Sequence, residues 1–196
     1  RVYAIENSEA MIVVPDAARG AAEVPFLFDY VGQKVSLARK ATCTISTDPQ
    51  AIILDVAIPL KSAYRPAGLN QRDGVIWNDD RIEIFLQPNG AGSVYQYIIN
   101  GVGALYDSRD SNKSWNGAPE CTVTVNADNW HVQARIPFAE IGFDPAKGDI
   151  IRGNVAVVSN EPGNAFCLTW VRLPLNFADV AAFGVFKLSA SMPYVK

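Results

Sequence analysis

The chain has 196 residues, 49% of them apolar and 19% charged, with a formal net charge of −3. That is enough for one domain with a full hydrophobic core, and its scattered Lys and Arg make no basic patch, so nucleic acid is not an expected partner. No apolar run reaches the ~18 residues of a membrane span, so no membrane partner is expected either.

The chain opens on Arg1 rather than Met and shows no charged segment followed by an apolar one, so it reads as a processed product or an excised domain. Residues 1–40 are expected to be an N-terminal arm with edge strands, belonging to the same domain as the body that follows at 41–190. Strands are expected at Pro25–Tyr30, Ala41–Ser46, Ala51–Ile58, Arg81–Gln87, Tyr95–Asn100, Cys121–Asn126, Trp130–Ile136, Ile150–Val158, Phe166–Val171 and Phe183–Ser189. Turn chemistry separates them at Asp48-Pro49, Pro88-Asn89-Gly90, Asn100-Gly101, Asp128-Asn129, Lys147-Gly148 and Glu161-Pro162-Gly163-Asn164. About ten short strands with little helix predict an all-β fold, an antiparallel, jelly-roll-like β-sandwich. Ala51–Ile58 is almost continuously apolar and is expected at the centre of a sheet. The Cys121 and Trp130 strands, joined through Asp128-Asn129, are expected to form a hairpin.

Lys61–Gly74 and Leu105–Pro119 read as long loops. Long loops on a β scaffold carry function more often than the strands do. Between them stands Trp77-Asn78-Asp79-Asp80-Arg81-Ile82-Glu83-Ile84-Phe85-Leu86. Here a large aromatic and two carboxylates lead into a strand of strict alternation. An aromatic ring presents an apolar face to the C–H face of a sugar, and a carboxylate accepts hydrogen bonds from neighbouring hydroxyls. Trp77 is therefore expected in an exposed loop and Trp130 and Trp170 in the core. Trp115 has two readings, an exposed platform or a cap over the core. Glu83 has three: a contact to sugar, a solvated strand residue, or a partner for Arg135. Asp80 reads as a turn residue, Asn100 as a left-handed turn or a polar contact, and His131 as a surface histidine.

Several ordered segments resemble the family 9 carbohydrate-binding modules. Trp77–Leu86 is similar to the signature W-x-x-D-x-V-E-I-F-L. Tyr95–Asn100 resembles a strand ending in asparagine, and Asn129–Pro137 resembles G-W-x-V-E-x-x-I-P. Gly153–Val157 resembles G-F-N-x-x-V, Leu168-Thr169-Trp170 resembles S-W, and Phe183–Leu188 resembles F-G-x-L-x-L. The resemblance covers residues 42–188. It implies a β-sandwich that binds a polysaccharide or oligosaccharide between two aromatics, here Trp77 and Phe177, with Glu83 and Asn100 bonding hydroxyls. Asp79, Trp115 and Arg109 join the expected ligand-binding set. The family's arginine and glutamine fall on Ile98 and Ala156, so polar contacts would have to come from elsewhere, with Tyr64, Arg65, Arg109 and Trp115 as candidates.

The expected function is thus a non-catalytic module, not an enzyme, covalently linked to further domains of a larger secreted or cell-surface protein and keeping a partner enzyme near its polymer. The competing expectation is a structural or protein-interaction β-sandwich with a degenerate sugar site. No cofactor is expected, apart from a structural calcium drawing on Asp73, Asp79, Asp107 and Asp110. Haem ligation by Met11, Met192 or His131 is disfavoured by their spacing. Cys43, Cys121 and Cys167 read as small buried hydrophobes, with one disulfide and one free thiol as the alternative.

Overall fold

Thirteen strands are present among the described residues of a computed structural model, which are residues 10–29, 33–34, 41–61, 64–173 and 176–189. Residues 1–9, 30–32 and 35–40 of the expected N-terminal arm, and Met192, lie outside them.

The strands follow from the alternation. In β5 (Ala51–Pro59), Ile52, Leu54, Val56 and Ile58 are fully buried. β10 (Asn129–Pro137) buries Trp130, Val132, Ala134 and Ile136 against them. β5 and β10 pair antiparallel along their whole length. They form the middle of a five-stranded sheet with the order β2 (Ala22–Glu23), β4 (Thr42–Thr47), β5, β10, β9 (Glu120–Val125). The expected hairpin through Asp128-Asn129 joins β9 and β10.

The second sheet has eight strands. Its main order is β1 (Met11–Val14), β13 (Gly184–Leu188), β11 (Ile150–Ser159), β6 (Arg81–Pro88), β7 (Tyr95–Asn100), β8 (Leu105–Arg109). β11 bonds β6 along one edge. Along the other it bonds β13 through Ile150–Gly153 and then β12 (Phe166–Thr169) through Ala156–Ser159, and β12 carries β3 (Phe28–Asp29). β1 lies parallel to β13, with Met11 opposite Val185 and Val14 opposite Leu188. One hydrophobic core fills the space between the sheets, drawing on Ile82, Ile84 and Leu86 from β6 and on Trp130 and Trp170.

The all-β sandwich and most strand positions agree with expectation. Leu105–Arg109 does not: it is an edge strand of the large sheet, not part of a loop. The first expected strand shrinks to Phe28–Asp29. All three cysteines are free thiols.

Candidate functional site

In β6 the side chains alternate, with Ile82, Ile84 and Leu86 turned to the core and Arg81, Glu83, Phe85 and Gln87 to the opposite, outer face of the large sheet. Pairing registers place Tyr106, Ile98, Glu83, Ala156 and Thr169 in one row across that face, and Ser108, Gln96, Phe85 and Asn154 in the next. An outer face would ordinarily be solvated, yet Glu83 is only 4% exposed. Its Oε1 accepts from Arg81 Nε at 2.7 Å and its Oε2 from Gln96 Nε2 at 3.3 Å. Burial holds the Glu83 carboxyl above its ordinary range, against the opposing pull of Arg81 and Gln96. The ion pair is therefore with Arg81 two residues away. Arg135, the expected alternative, pairs instead with Asp48 and Glu120.

The loop ahead of β6 is anchored by Ile76, which is buried with Ile98 and Ala104 in a small apolar cluster against Tyr106. Burying Ile76 turns its neighbour outward. Trp77 is 46% exposed and sits edge-on to the Tyr106 ring, with centroids 5.6 Å apart at 87°. The next residues pin the loop down. Asp80 is buried and accepts from Tyr64 Oη at 2.6 Å and from the backbone N–H of Asn160 at 2.7 Å. Burial and then Asp80 push the Tyr64 hydroxyl's pKa up. Asp79 Oδ2 accepts from the Leu69 N–H at 3.1 Å and from Asn100 Nδ2 at 2.9 Å.

Asn100 differs from expectation. It is fully buried, and every hydrogen-bonding position of its amide is taken. Nδ2 donates to Asp79 and to the Leu69 carbonyl, while Oδ1 accepts from the N–H groups of Val102 and Ala104. Asn100 and Asp79 thus form a brace holding the 68–79 loop to the end of β7, with no capacity left on Asn100 for a hydroxyl. The brace is tight, since a Cβ on Gly68 would sit 2.5 Å from Asp79 Oδ2 and 2.6 Å from Asn100 Nδ2.

The segment before β13 also crosses the outer face. Arg152 Nη2 donates to the carbonyls of Ala181 and Phe183, and Phe183 packs on Phe85 with ring centroids 5.8 Å apart. Ala178 and Val180 close a cleft of about 240 Å³ over Phe85, Gln96 and Ser108. Phe177 is half-buried and packs on the main core cluster. Trp77 stands on Tyr106 and this cleft reaches Ser108, two residues along the same strand face, so the two features are neighbours about 7 Å apart.

The remaining candidates are elsewhere. Trp115 lies edge-on to Tyr95 and Tyr97, at 5.2 and 6.0 Å, on the core side of the large sheet. Of its two readings, the cap over the core is the one the structure shows. Arg109 also faces that side, over the Tyr95 ring and bonded to Ser93. Neither belongs to the face that carries Trp77 and Glu83. Arg65 is exposed and donates to the Tyr64 carbonyl.

Of the four aspartates expected around calcium, Asp73 and Asp107 both pair with Arg72, at 3.7 and 2.7 Å, Asp79 is in the brace, and Asp110 accepts from the Val94 N–H. Among the described residues no group of three or more His, Cys, Asp or Glu could hold a metal ion. No helix among them is long and apolar enough to cross a membrane. Arg81, Gln96, Ser108 and Tyr106 complete the outer face but are absent from the sequence-derived set. The one available signal was that Arg81 and Glu83 share a parity along the strand.

No family model and no curated protein sequence matches the chain. Solved structures do. A carbohydrate-binding candidate from Bacteroides uniformis aligns over 93% of this chain and 98% of its own, with 16% identity and a TM-score of 0.68. A family 9 carbohydrate-binding module from Caldicellulosiruptor kristjanssonii in complex with glucose aligns over 95% and 99%, with 15% identity and a TM-score of 0.66. The fold is that of a family 9 carbohydrate-binding module. A further structure of such a module from C. kristjanssonii, in complex with cellotriose, aligns over 95% and 97% at 15% identity and a TM-score of 0.64. Within this family 9-type fold, Ile98 and Ala156 are buried beside Glu83, at 2% and 0% exposure, and give the central row no polar side chain besides the carboxylate, Tyr106 and Thr169.

Proposed function

We propose that the protein is a non-catalytic carbohydrate-binding module whose ligand lies on the outer face of the eight-stranded sheet, stacked on Trp77. The observation that carries this is the exposed indole, locked in place by buried Ile76 and the Asp79 and Asp80 braces, beside a cleft floored by polar side chains. A rigid, half-exposed aromatic loses little entropy on stacking and offers apolar area to a pyranose. Phe177, half-buried and next in sequence to Ala178 of the cleft, is the second aromatic of this reading. Glu83 acts through Gln96, and Asn100 acts through the loop it braces. Carbohydrate ligands in two of the solved relatives support the reading.

In this reading the chain works as a binding unit linked to further domains of a secreted or cell-surface protein, raising the local concentration of a partner enzyme at its polymer. The test is a titration of neutral and acidic oligosaccharides followed by tryptophan fluorescence, on the native protein and on Trp77→Ala. Saturable quenching by at least one glycan, lost in the variant, is the expected outcome. A folded protein silent to the whole panel would favour a second reading, a structural or interaction sandwich, which the full occupation of Asn100 supports.

A further inference from the structure

We infer that Asn116-Gly117 is a self-modification site, at which Asp107 and Arg72 promote deamidation of the asparagine by the backbone nitrogen that follows it. The pair lies in the segment connecting β8 to β9, and its chemistry does not depend on sugar binding.

Three asparagines precede glycine in this chain, Asn89, Asn100 and Asn116. Such a pair can close a five-membered imide, because glycine has no Cβ to shield its nitrogen from the neighbouring side-chain carbonyl carbon. The three sit in different surroundings. Asn100 is fully buried with its amide wholly bonded, and the Gly101 N–H donates to the Asp80 carbonyl at 2.8 Å. Asn89 is exposed, and the Gly90 N–H donates to the Gln87 carbonyl at 3.4 Å. At Asn116 the acceptor is a base instead: Gly117 N–H donates to Asp107 Oδ2 at 2.7 Å.

Arg72 completes the arrangement. Its Nε donates to Asn116 Oδ1 at 3.1 Å, and its Nη2 donates to the Gly117 carbonyl at 2.8 Å and to Asp107 Oδ2 at 2.7 Å. A guanidinium only donates, so the asparagine oxygen is the atom facing Arg72, and the NH₂ points elsewhere. The carbonyl open to attack is thus polarised by a cation, while the attacking nitrogen is bonded to a carboxylate. The Asp107 side chain is fully buried, and its Oδ1 has no hydrogen-bond partner among the described residues. Burial holds its carboxyl above the ordinary range, against the Gly117 N–H and Arg72, which makes it a stronger base than an aspartate in water. Asn116 itself is exposed, so water reaches the site.

The Gly117 nitrogen bonds to Asn116 Cγ as its proton passes to Asp107, and Arg72 Nε meets the negative charge that develops on Oδ1. The Cγ–Nδ2 bond then breaks, the proton moves from Asp107 to the leaving nitrogen, and ammonia departs. Water opens the imide at either carbonyl, leaving an aspartyl or an isoaspartyl residue at 116. In sum, an amide and water become an acid and ammonia. The new carboxylate joins Asp107 and Asp73 around one Arg72. Isoaspartyl opening also adds a backbone carbon next to Trp115, which packs on Tyr95 and Tyr97.

The test is peptide mass spectrometry of the native chain aged at neutral pH, beside the same chain in urea, where all three pairs react as unstructured peptide. The expected result is conversion of Asn116 at least ~10-fold faster in the native chain than in urea, with Asn100 slower than in urea. A pair that relies on hydroxide should speed up about tenfold per pH unit, as in urea, whereas native Asn116 should respond far less because Asp107 takes the proton. Asp107→Asn and Arg72→Gln should each bring Asn116 down to the urea rate or below and leave Asn89 unchanged, with circular dichroism confirming the fold. Native conversion no faster than in urea, or a native rate that climbs with hydroxide as steeply as the unfolded one, would overturn the assignment. Both readouts come from the unmutated chain, so a variant that fails to fold does not shield the inference.

Discussion

On the five-stranded sheet the outward rows read Thr42, Ala57, His131, Thr124 and Thr44, Asp55, Gln133, Thr122. On the eight-stranded sheet they read Tyr106, Ile98, Glu83, Ala156 and Ser108, Gln96, Phe85, Asn154. Both faces come from the same alternation, and both carry charge. On the first, His131 and Asp55 meet at 2.6 Å with a third or more of each side chain in solvent. On the second, the Ile76–Asp80 loop and the 176–183 segment bury the charge and leave one indole exposed. What separates a bare face from a built one is the covering chain, and its placement is set by backbone braces that alternation does not encode.

The largest contrast should come from breaking an arginine pair on each face. Arg81→Met leaves Glu83 buried without its counter-charge and should cost about 3–5 kcal/mol in urea unfolding. Arg135→Met on the bare face, where Asp48 and Glu120 are both in contact with water, should move the urea midpoint far less. Equal losses would erase the distinction.

Trp77→Ala should weaken glycan binding about 30-fold, roughly 2 kcal/mol, measured by calorimetry. Its effect on stability should stay near the ~0.5 kcal/mol of a surface change, whereas Trp130→Ala, wholly inside the core, should lose about 3–5 kcal/mol. Gly68→Ala forces the Asp79–Asn100 brace apart and should destabilise by about 1–3 kcal/mol while loosening Trp77, seen as lower fluorescence anisotropy.

Thiol chemistry probes the cover itself. Burial pushes Cys167, on the outer face of the large sheet, up to about 12, and Cys121 on β9 up to about 11. At pH 8 both should react slowly with a disulfide reagent in the native protein and fast in denaturant; rapid modification of Cys167 alone would show that the cover opens. The smallest effect should be Thr122→Ala, within ~0.5 kcal/mol and without change in sugar affinity.

Much of this fold was legible. Alternation in Trp130–Ile136 and Arg81–Leu86 located the central strands, and Trp130 and Trp170 were placed in the core by their apolar neighbours. Leu105–Arg109 was not, because an edge strand with Asp107, Ser108 and Arg109 has no apolar alternation, and only its pairing with β7 makes it extended. At the site, Trp77 could be singled out by its polar neighbours. Asn100 could not be resolved, since an asparagine before glycine looks the same whether it faces a ligand or a backbone loop 31 residues away. Arg81 was passed over because a charged residue at a strand start reads as solvated until the chain above it is known. Trp115 and Arg109 were drawn in by their loop-like surroundings, though β8 turns Arg109 to the other side of its sheet.

The parallel pairing of β1 with β13 sets how the module would respond to tension. Residue 10 leaves this pair at one end and residue 189 at the other, with the Ala10 carbonyl bonded to the Val185 N–H and the Val14 carbonyl to the Ser189 N–H. A pull between those points slides the two strands along each other and loads their hydrogen bonds together instead of peeling them one at a time. Under the proposed function, load arriving through a linked domain would fall on that seam, which lies across the sheet from Trp77.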